Sequence, residues 1–388
     1  MNVVLDARWI SETFSGIGFY TSELIRALAA TEDADRIILL FHQPHLLERV
    51  MADTGAARAP WISAQLIKGS AESPLSQVVL PTLLRRLRTD VYHTPNYLLP
   101  LAAFPVHRTG RIRCVATLHD LIPLRFPDFT PRALKTRFHF LYRELLQACA
   151  ARIDLAIVPS LATQRDVQDC LGLPPHRIRV TPEAAGKAFS PDPSVRREPG
   201  EILYVGRADP YKNLSGLLTA VARLRREGRR VRLRIIGEPD PRYPEARARV
   251  TELGLKEDVL WDGYATGQNL VSAYRRASVF VFPSFYEGFG LPVLEAMACG
   301  TPVVCSHRAS LPEVAGDAAL LIDPEDSDRL ATAIGRVLSE PDLAAALSAK
   351  GMHRAAQFTW ARTALQTRAA WMEAALLPPA LPGIGNSA

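Results

Sequence analysis

At 388 residues, 48% hydrophobic and 22% charged, the chain is too long for one ordinary domain and too apolar to be disordered. Its formal net charge of +6 fits an anionic partner, such as a nucleotide phosphate, a nucleic acid or an acidic membrane surface. A mild excess of Arg serving only solubility is the simpler reading of that charge. The basic residues are scattered and form no recognition motif, so nucleic acid is not an expected partner. Cys114, Cys149, Cys170, Cys299 and Cys305 are odd in number, lack metal-ligand spacing and sit among apolar neighbours, as buried thiols of a reducing cytoplasm do. Asp6 and Arg8 cut the run Val3-Val4-Leu5 too short for a secretory leader. No stretch approaches the roughly 20 apolar residues of a membrane span.

In chain order, residues 2–6 read as a buried strand, 11–18 as a glycine-containing loop and 19–30 as a helix with Tyr20, Leu24, Ala27 and Leu28 on one face. A strand at 36–41, a helix at 74–88, a strand near 91–93 and a strand at 112–118 follow. The pattern continues with a long amphipathic helix at about 131–151, a strand at 154–158, a helix at 160–171 and a strand at 178–181. Residues 184–200, with Gly186, Pro191, Pro193, Pro199 and Gly200, break the pattern and read as a linker. Strands at 201–205, 231–236, 258–261, 278–282 and 302–305 then alternate with helices at 213–227, 244–254, 267–276 and 291–299. Helices at about 325–339, 341–357 and 360–376 close the chain, and a Pro- and Gly-rich tail, 378–388, is expected to fray. Alternation of this kind predicts two doubly wound parallel α/β domains, residues 1–183 and 201–358. Ligands would bind outside the carboxyl ends of the strands, in a cleft between the domains.

Four loops at strand ends carry candidate chemistry. Ser15-Gly16-Ile17-Gly18-Phe19-Tyr20 exposes backbone N–H groups at a helix start, which suits an anion; it lacks the third glycine of the dinucleotide fingerprint, and a plain tight turn explains it equally well. His119 and Asp120 follow an apolar strand. The imidazole could bond a sugar hydroxyl, although a lone His-Asp pair is more often loop capping. Gly206-Arg207 and Lys212-Asn213 place two cations ahead of a helix, able to clamp a pyrophosphate; solvated surface charges are the alternative. The richest loop runs from Pro283 through Glu287-Gly288-Phe289-Gly290-Leu291-Pro292 to Glu295. Pro292 suits a first helical turn, the glycines admit close backbone approach, and carboxylates accept hydrogen bonds from paired sugar hydroxyls.

Together these motifs resemble a retaining glycosyltransferase of family 4 with the GT-B fold, over residues 3 to about 371. The most specific element is the E-x7-E motif, Glu287 to Glu295, followed by Gly300-Thr301-Pro302-Val303-Val304. Gly206-Arg207 with Lys212-Asn213 matches the family's pyrophosphate loop. Ser15 to Tyr20 matches its N-terminal glycine loop, and Leu118-His119-Asp120 its acceptor-side histidine. Phe358-Thr359-Trp360 resembles the point where the last helix (360–376) returns to the first domain.

The resemblance implies roles. Arg207 and Lys212 would bind the donor diphosphate, Glu287 the transferred sugar and Glu295 the ribose. Gly206, Gly288 and backbone N–H groups from Phe289 through Gly290 to Leu291 would complete the donor site. His119 would lie near the reacting carbon, and Gly16, Gly18, Tyr20 and Asp120 would line the acceptor or phosphate side. Cations and helix N–H groups stabilise the departing phosphate without a cofactor or metal, and no D-x-D pair stands at a suitable place. No enzymic nucleophile is evident, so front-face departure and attack is the expected retaining route.

Residues 116–152 resemble bacterial enzymes that use GDP-mannose to build surface polysaccharide. GDP-mannose is the expected donor, with other GDP-hexoses and UDP-sugars as alternatives. The expected acceptor is a saccharide or a polyprenyl-diphosphate-linked oligosaccharide. Basic and apolar residues mix at 83–88 and 132–143, so a cytoplasmic protein peripheral on the inner membrane is one reading and ordinary basic-faced helices the other. A nucleotide-sugar epimerase and a non-catalytic nucleotide-sugar sensor are the rival functions.

Overall fold

The computed structural model describes all residues except 13–14, 32–34, 106–111, 133, 239–240 and 378–388. The expected frayed tail therefore lies outside the described residues. The chain divides into two compact units. The first comprises Met1–Leu121, Phe138–Glu183 and Trp360–Ala388; the second comprises Ile122–Arg137 and Ala184–Thr359.

In the first unit, strands β1 (Asn2–Asp6), β2 (Arg36–Phe41), β3 (Ile62–Leu66), β4 (Val91–Thr94), β5 (Arg113–Thr117), β6 (Leu155–Val158) and β7 (Ile178–Val180) form one sheet. Its order is β3-β2-β1-β4-β5-β6-β7, with every pairing parallel. The central strands are buried on both faces, so they read as unbroken apolar runs such as Val3-Val4-Leu5. Beyond β1, the buried Arg8 guanidinium bonds both carboxylate oxygens of Asp6, Ser76 Oγ and the carbonyls of Gly69 and Ser70. Tyr92 donates to the same Asp6 carboxylate at 2.6 Å. A buried ion pair satisfied on every side holds the β1–β4 junction together.

The helix Trp360–Leu376 belongs to this unit. Its Trp371 is fully buried, and the indole N–H donates to His93 Nδ1 at 3.2 Å. Thr363 Oγ1 donates to Pro182 O at 2.7 Å, and Arg179 pairs with Glu373.

The second unit repeats the plan with β8 (Glu201–Val205), β9 (Arg232–Ile236), β10 (Val259–Gly263), β11 (Val279–Phe282), β12 (Val303–Ser306) and β13 (Ala319–Ile322). The order is β10-β9-β8-β11-β12-β13, again all parallel. Chain order reverses between β8 and β11, the place where doubly wound sheets bind ligands.

Three features depart from the sequence reading. The helix expected at 131–151 is interrupted: Leu134–Arg137 and His139–Ala150 are separate, because Phe138 leaves helical geometry with ψ at 43°. Ile122–Arg137 groups with the second unit, where Phe126 packs on Tyr286 (ring centroids 4.7 Å apart) and Phe129 stacks on Phe285 (5.4 Å). Residues 184–200, read as a linker, also group there: Arg275 Nε donates to Ser190 O at 2.7 Å, and Glu198 N to Arg276 O at 2.7 Å.

Candidate active site

The donor-side residues assemble where β8 and β11 end. Gly206 follows β8 at φ +151°, a conformation that favours glycine. Its carbonyl oxygen lies so close to Gly237, just beyond β9, that any Cβ at 237 would collide with it. Gly237 was not singled out in the sequence; the available signal is a glycine directly after the apolar strand end Ile235-Ile236.

A short 3-10 turn, Pro210–Lys212, leads to Asn213, which takes the left-handed conformation (φ 55°) and caps the helix Leu214–Arg226 by accepting from Gly216 N. Its amide donates to Pro283 O at 3.2 Å and Pro324 O at 2.6 Å, and Phe285 N donates to Tyr211 O at 2.7 Å. These bonds bind the two strand-end loops to each other. Lys212 is thereby delivered to Glu287, with Nζ at 2.8 Å from Oε1 and 3.0 Å from Oε2. Burial disfavours the ammonium charge, but the Glu287 carboxylate outweighs it and raises the Lys212 pKa above the ordinary lysine value.

Lys212 and Arg207, taken together in the sequence as a phosphate clamp, each have an acidic partner of their own. Arg207 is more than half exposed and pairs with Asp209 at 2.9 Å. Ser310, whose Oγ donates to the carbonyls of Glu287 (2.9 Å) and Phe289 (2.7 Å), pins the loop ahead of the helix Leu291–Ala298. Gly290 starts that helix at φ +108°, and a Cβ there would come within 2.6 Å of Leu311 Cδ2. Pro292 falls in the first turn, as its missing N–H allows. Gly288 and Phe289 are buried, and Leu291 is half-buried.

Glu295 is buried one turn further on and accepts from Tyr274 Oη at 2.8 Å. Burial pushes its carboxyl up to about 7, and the Tyr274 hydrogen bond offsets only part of that. Tyr274 is the second residue absent from the sequence reading. It sits in the apolar stretch of the helix Gly267–Arg276, and nothing local marks it.

The remaining candidates belong to the first unit. The expected loop 11–18 gives way to a helix from Gly16, capped by Ser15, whose Oγ accepts from Gly18 N at 3.0 Å. Gly16 is exposed with open space around it; Gly18 is buried. Tyr20 is buried: it is 1% exposed, its hydroxyl contacts Thr117 Oγ1 at 3.2 Å, and its ring meets His119 edge-on at 4.7 Å. His119 Nδ1 is 2.8 Å from Glu183 Oε1, and Asp120 is half-buried beside it. His93 Nε2 lies 2.8 Å from Thr117 Oγ1; burial, with His119 nearby, pushes its pKa down to about 3 and keeps it neutral.

Among the described residues, no group of three or more His, Cys, Asp or Glu side chains is arranged to hold a metal ion. No described helix is long and apolar enough to cross a membrane.

Residues 14–184 match the model of Glycosyltransferase Family 4, and residues 187–354 match that of Glycosyl transferases group 1. The chain is 30% identical to O-antigen chain mannosyltransferase B of Escherichia coli, over 95% of this chain and 98% of that protein. It is 35% identical to the MMP alpha-(1->4)-mannosyltransferase of Mycolicibacterium hassiacum, over 60% of this chain and 57% of that protein. Among solved structures it resembles sucrose-phosphate synthase from Thermosynechococcus elongatus, with a TM-score of 0.76, 22% identity and coverage of 96% and 98%. It also resembles Anabaena Alr3699/HepE in complex with UDP and glucose, with a TM-score of 0.73, 17% identity and coverage of 96% and 100%. The two Rossmann-like sheets are those of the GT-B fold, as the sequence resemblance implied.

Proposed function

Because this chain belongs to glycosyltransferase family 4, we propose that it transfers mannose, with retention, from GDP-mannose to a saccharide or polyprenyl-diphosphate-linked acceptor in bacterial surface polysaccharide synthesis. The mannosyl specificity rests on the two relatives named for it. The observation that carries the chemistry is the Lys212–Glu287 pair at the reversal point of the second sheet. A charged, buried ammonium there meets a diphosphate, and the carboxylate beside it accepts hydroxyls of the transferred sugar.

In this reading leaving-group charge falls on Lys212, Arg207 and the N-terminus of Leu291–Ala298 rather than on a divalent metal. Undiminished turnover in excess chelator is the expected result. Glu295 takes the ribose, and His119 a sugar hydroxyl. The epimerase and sensor readings are not favoured, since both family models and the relatives named above are transferases.

The finer reading of location is the cytoplasmic face of the inner membrane. It is supported by Phe138, Phe140 and Leu141, which are 56%, 72% and 64% exposed beside Arg143. The stretch 83–88 supports it less, because Leu84 is buried in the core. Lys135 lies outside the residues whose side chains are described. Flotation with anionic vesicles tests this, and no binding at low salt ends it.

Thermal stabilisation screened over GDP- and UDP-sugars tests the donor. GDP-mannose is expected to raise Tm the most, by mass action. A larger shift with UDP-sugars would replace the donor assignment.

A further inference from the structure

Glu183 has no place in the functional reading so far, yet the fold builds a socket around it. It follows β7 by three residues, while His119 follows β5; β6 lies between those two strands. The backbone leading to Glu183 is fixed on two sides. Thr181 N donates to Val158 O at 2.8 Å, and Thr363 Oγ1, on the helix Trp360–Leu376, donates to Pro182 O at 2.7 Å. The His119 backbone is held by Thr163 Oγ1, which donates to its carbonyl at 3.4 Å, and the Tyr20 ring closes on the imidazole at 81°. Tyr20 is anchored in turn by Thr117, which His93 contacts from the other side, and Trp371 supports His93.

Glu183 is 4% exposed. A carboxylate buried to that degree is costly unless it is hydrogen-bonded. It lies 2.8 Å from His119 Nδ1, and an ionised carboxylate can only accept, so Nδ1 is the donor. In a neutral imidazole that leaves a lone pair on Nε2. Nε2 is shielded from solvent and has no hydrogen-bond partner among the described residues. A buried polar atom without a protein partner, on a ring whose other nitrogen is clamped, is the arrangement of a group reserved for a ligand.

We propose that Glu183 is the positioning residue of His119: it holds the proton on Nδ1 and leaves Nε2 to accept a hydrogen bond from a substrate sugar hydroxyl. This rests on the placement of His119 at the transfer site. Glu183 itself does not touch substrate; it fixes the tautomer and ring orientation.

The test uses the full chain, with GDP-mannose turnover on water as the kinetic probe and 15N NMR of the histidine ring as the structural one. In the wild type, His119 is expected to show a protonated Nδ1 and an unprotonated Nε2; the reverse tautomer overturns the proposal. Glu183→Ala is expected to lower kcat on the order of ten- to a hundredfold, the scale of a lost orienting partner, with KM for GDP-mannose little changed. Glu183→Gln, which keeps an acceptor oxygen, recovers most of that loss. Adding Glu183→Ala to His119→Ala brings no further loss, as a residue acting through another requires. Losses that multiply in the double variant, or a normal kcat in Glu183→Ala beside an impaired His119→Ala, overturn the assignment of Glu183 alone. A normal kcat in His119→Ala removes the reading of His119 and this proposal with it. Should Glu183→Ala not fold, the wild-type tautomer and the kcat of Glu183→Gln decide. A wild type that binds but does not turn over GDP-mannose counts against the donor and leaves the tautomer measurement standing.

Discussion

Lys212 and Glu287 stand 75 residues apart in the chain and meet in a two-pronged ion pair, Nζ lying 2.8 Å and 3.0 Å from the two carboxylate oxygens. Both side chains are largely buried, at 15% and 10% exposure. The pair therefore couples the site's stability to its chemistry. Removing one partner strands the other charge, which for buried pairs costs about 3–5 kcal/mol, whereas replacing both with neutral groups costs less. Lys212→Ala and Glu287→Ala should each lower the denaturant midpoint clearly and abolish most transfer. Lys212→Met combined with Glu287→Gln should regain stability but not activity. Near-normal rates in either single variant would remove the site model.

Glu295 makes a pH prediction. Its folded pKa, about 7, is raised from 4.5 by burial, so its contribution to stability is full below about 4.5 and is lost as pH rises through about 7. At about 1.4 kcal/mol per unit this amounts to about 3 kcal/mol. Glu295→Gln should flatten the decline in Tm between about pH 5 and 8 and raise Tm at the alkaline end. Because a carboxylate accepts from ribose hydroxyls more readily than its protonated form does, wild-type donor affinity should strengthen over the same rise. Calorimetry of both proteins across that range checks the two signs.

Gly237 has no room for a side chain against the Gly206 carbonyl. Gly237→Ala must push the β8 loop outward and carry Arg207 with it. A loss of about 1–3 kcal/mol is expected, with weakened GDP binding. Gly228→Ala is the control: it has open space but positive φ, so it should cost stability without touching GDP affinity.

Phe126 stacks on Phe129 at 5.4 Å and packs on Tyr286, the residue before Glu287. Phe126→Ala should loosen the loop by about 1 kcal/mol, seen as a rise of about fivefold in donor KM with less effect on kcat. A normal KM would mean that the aromatic stack does not hold the loop in register.

Much of this was legible in the chain itself. Apolar runs such as Val279–Phe282 and Val3–Leu5 identify parallel strands buried on both faces, because no polar alternation is tolerated there. Glycines at 206 and 290 and Pro292 mark sharp turns and a helix start by local geometry alone. Short or partly polar strands, β3 and β13, escaped because half-exposed edges carry little periodic signal. The contacts that tie 184–200 to the second unit were likewise illegible, since they come from distant partners such as Arg275.

The glutamates from 287 to 295, legible as a motif, acquired their partners only in three dimensions. Sequence spacing suggested that Lys212 and Arg207 clamp a pyrophosphate; only the chain's return through β11 reveals Glu287 as the partner of Lys212. Tyr274 beneath Glu295 and Glu183 beside His119 carry no local mark, because each becomes polar support only when two remote strand or helix ends converge. Residue type and spacing determined the fold class and the reactive groups, which depend on short-range preferences. Which charge neutralises which, and how far burial moves each proton, was decided by tertiary packing, since Coulombic and desolvation terms depend on distance in space.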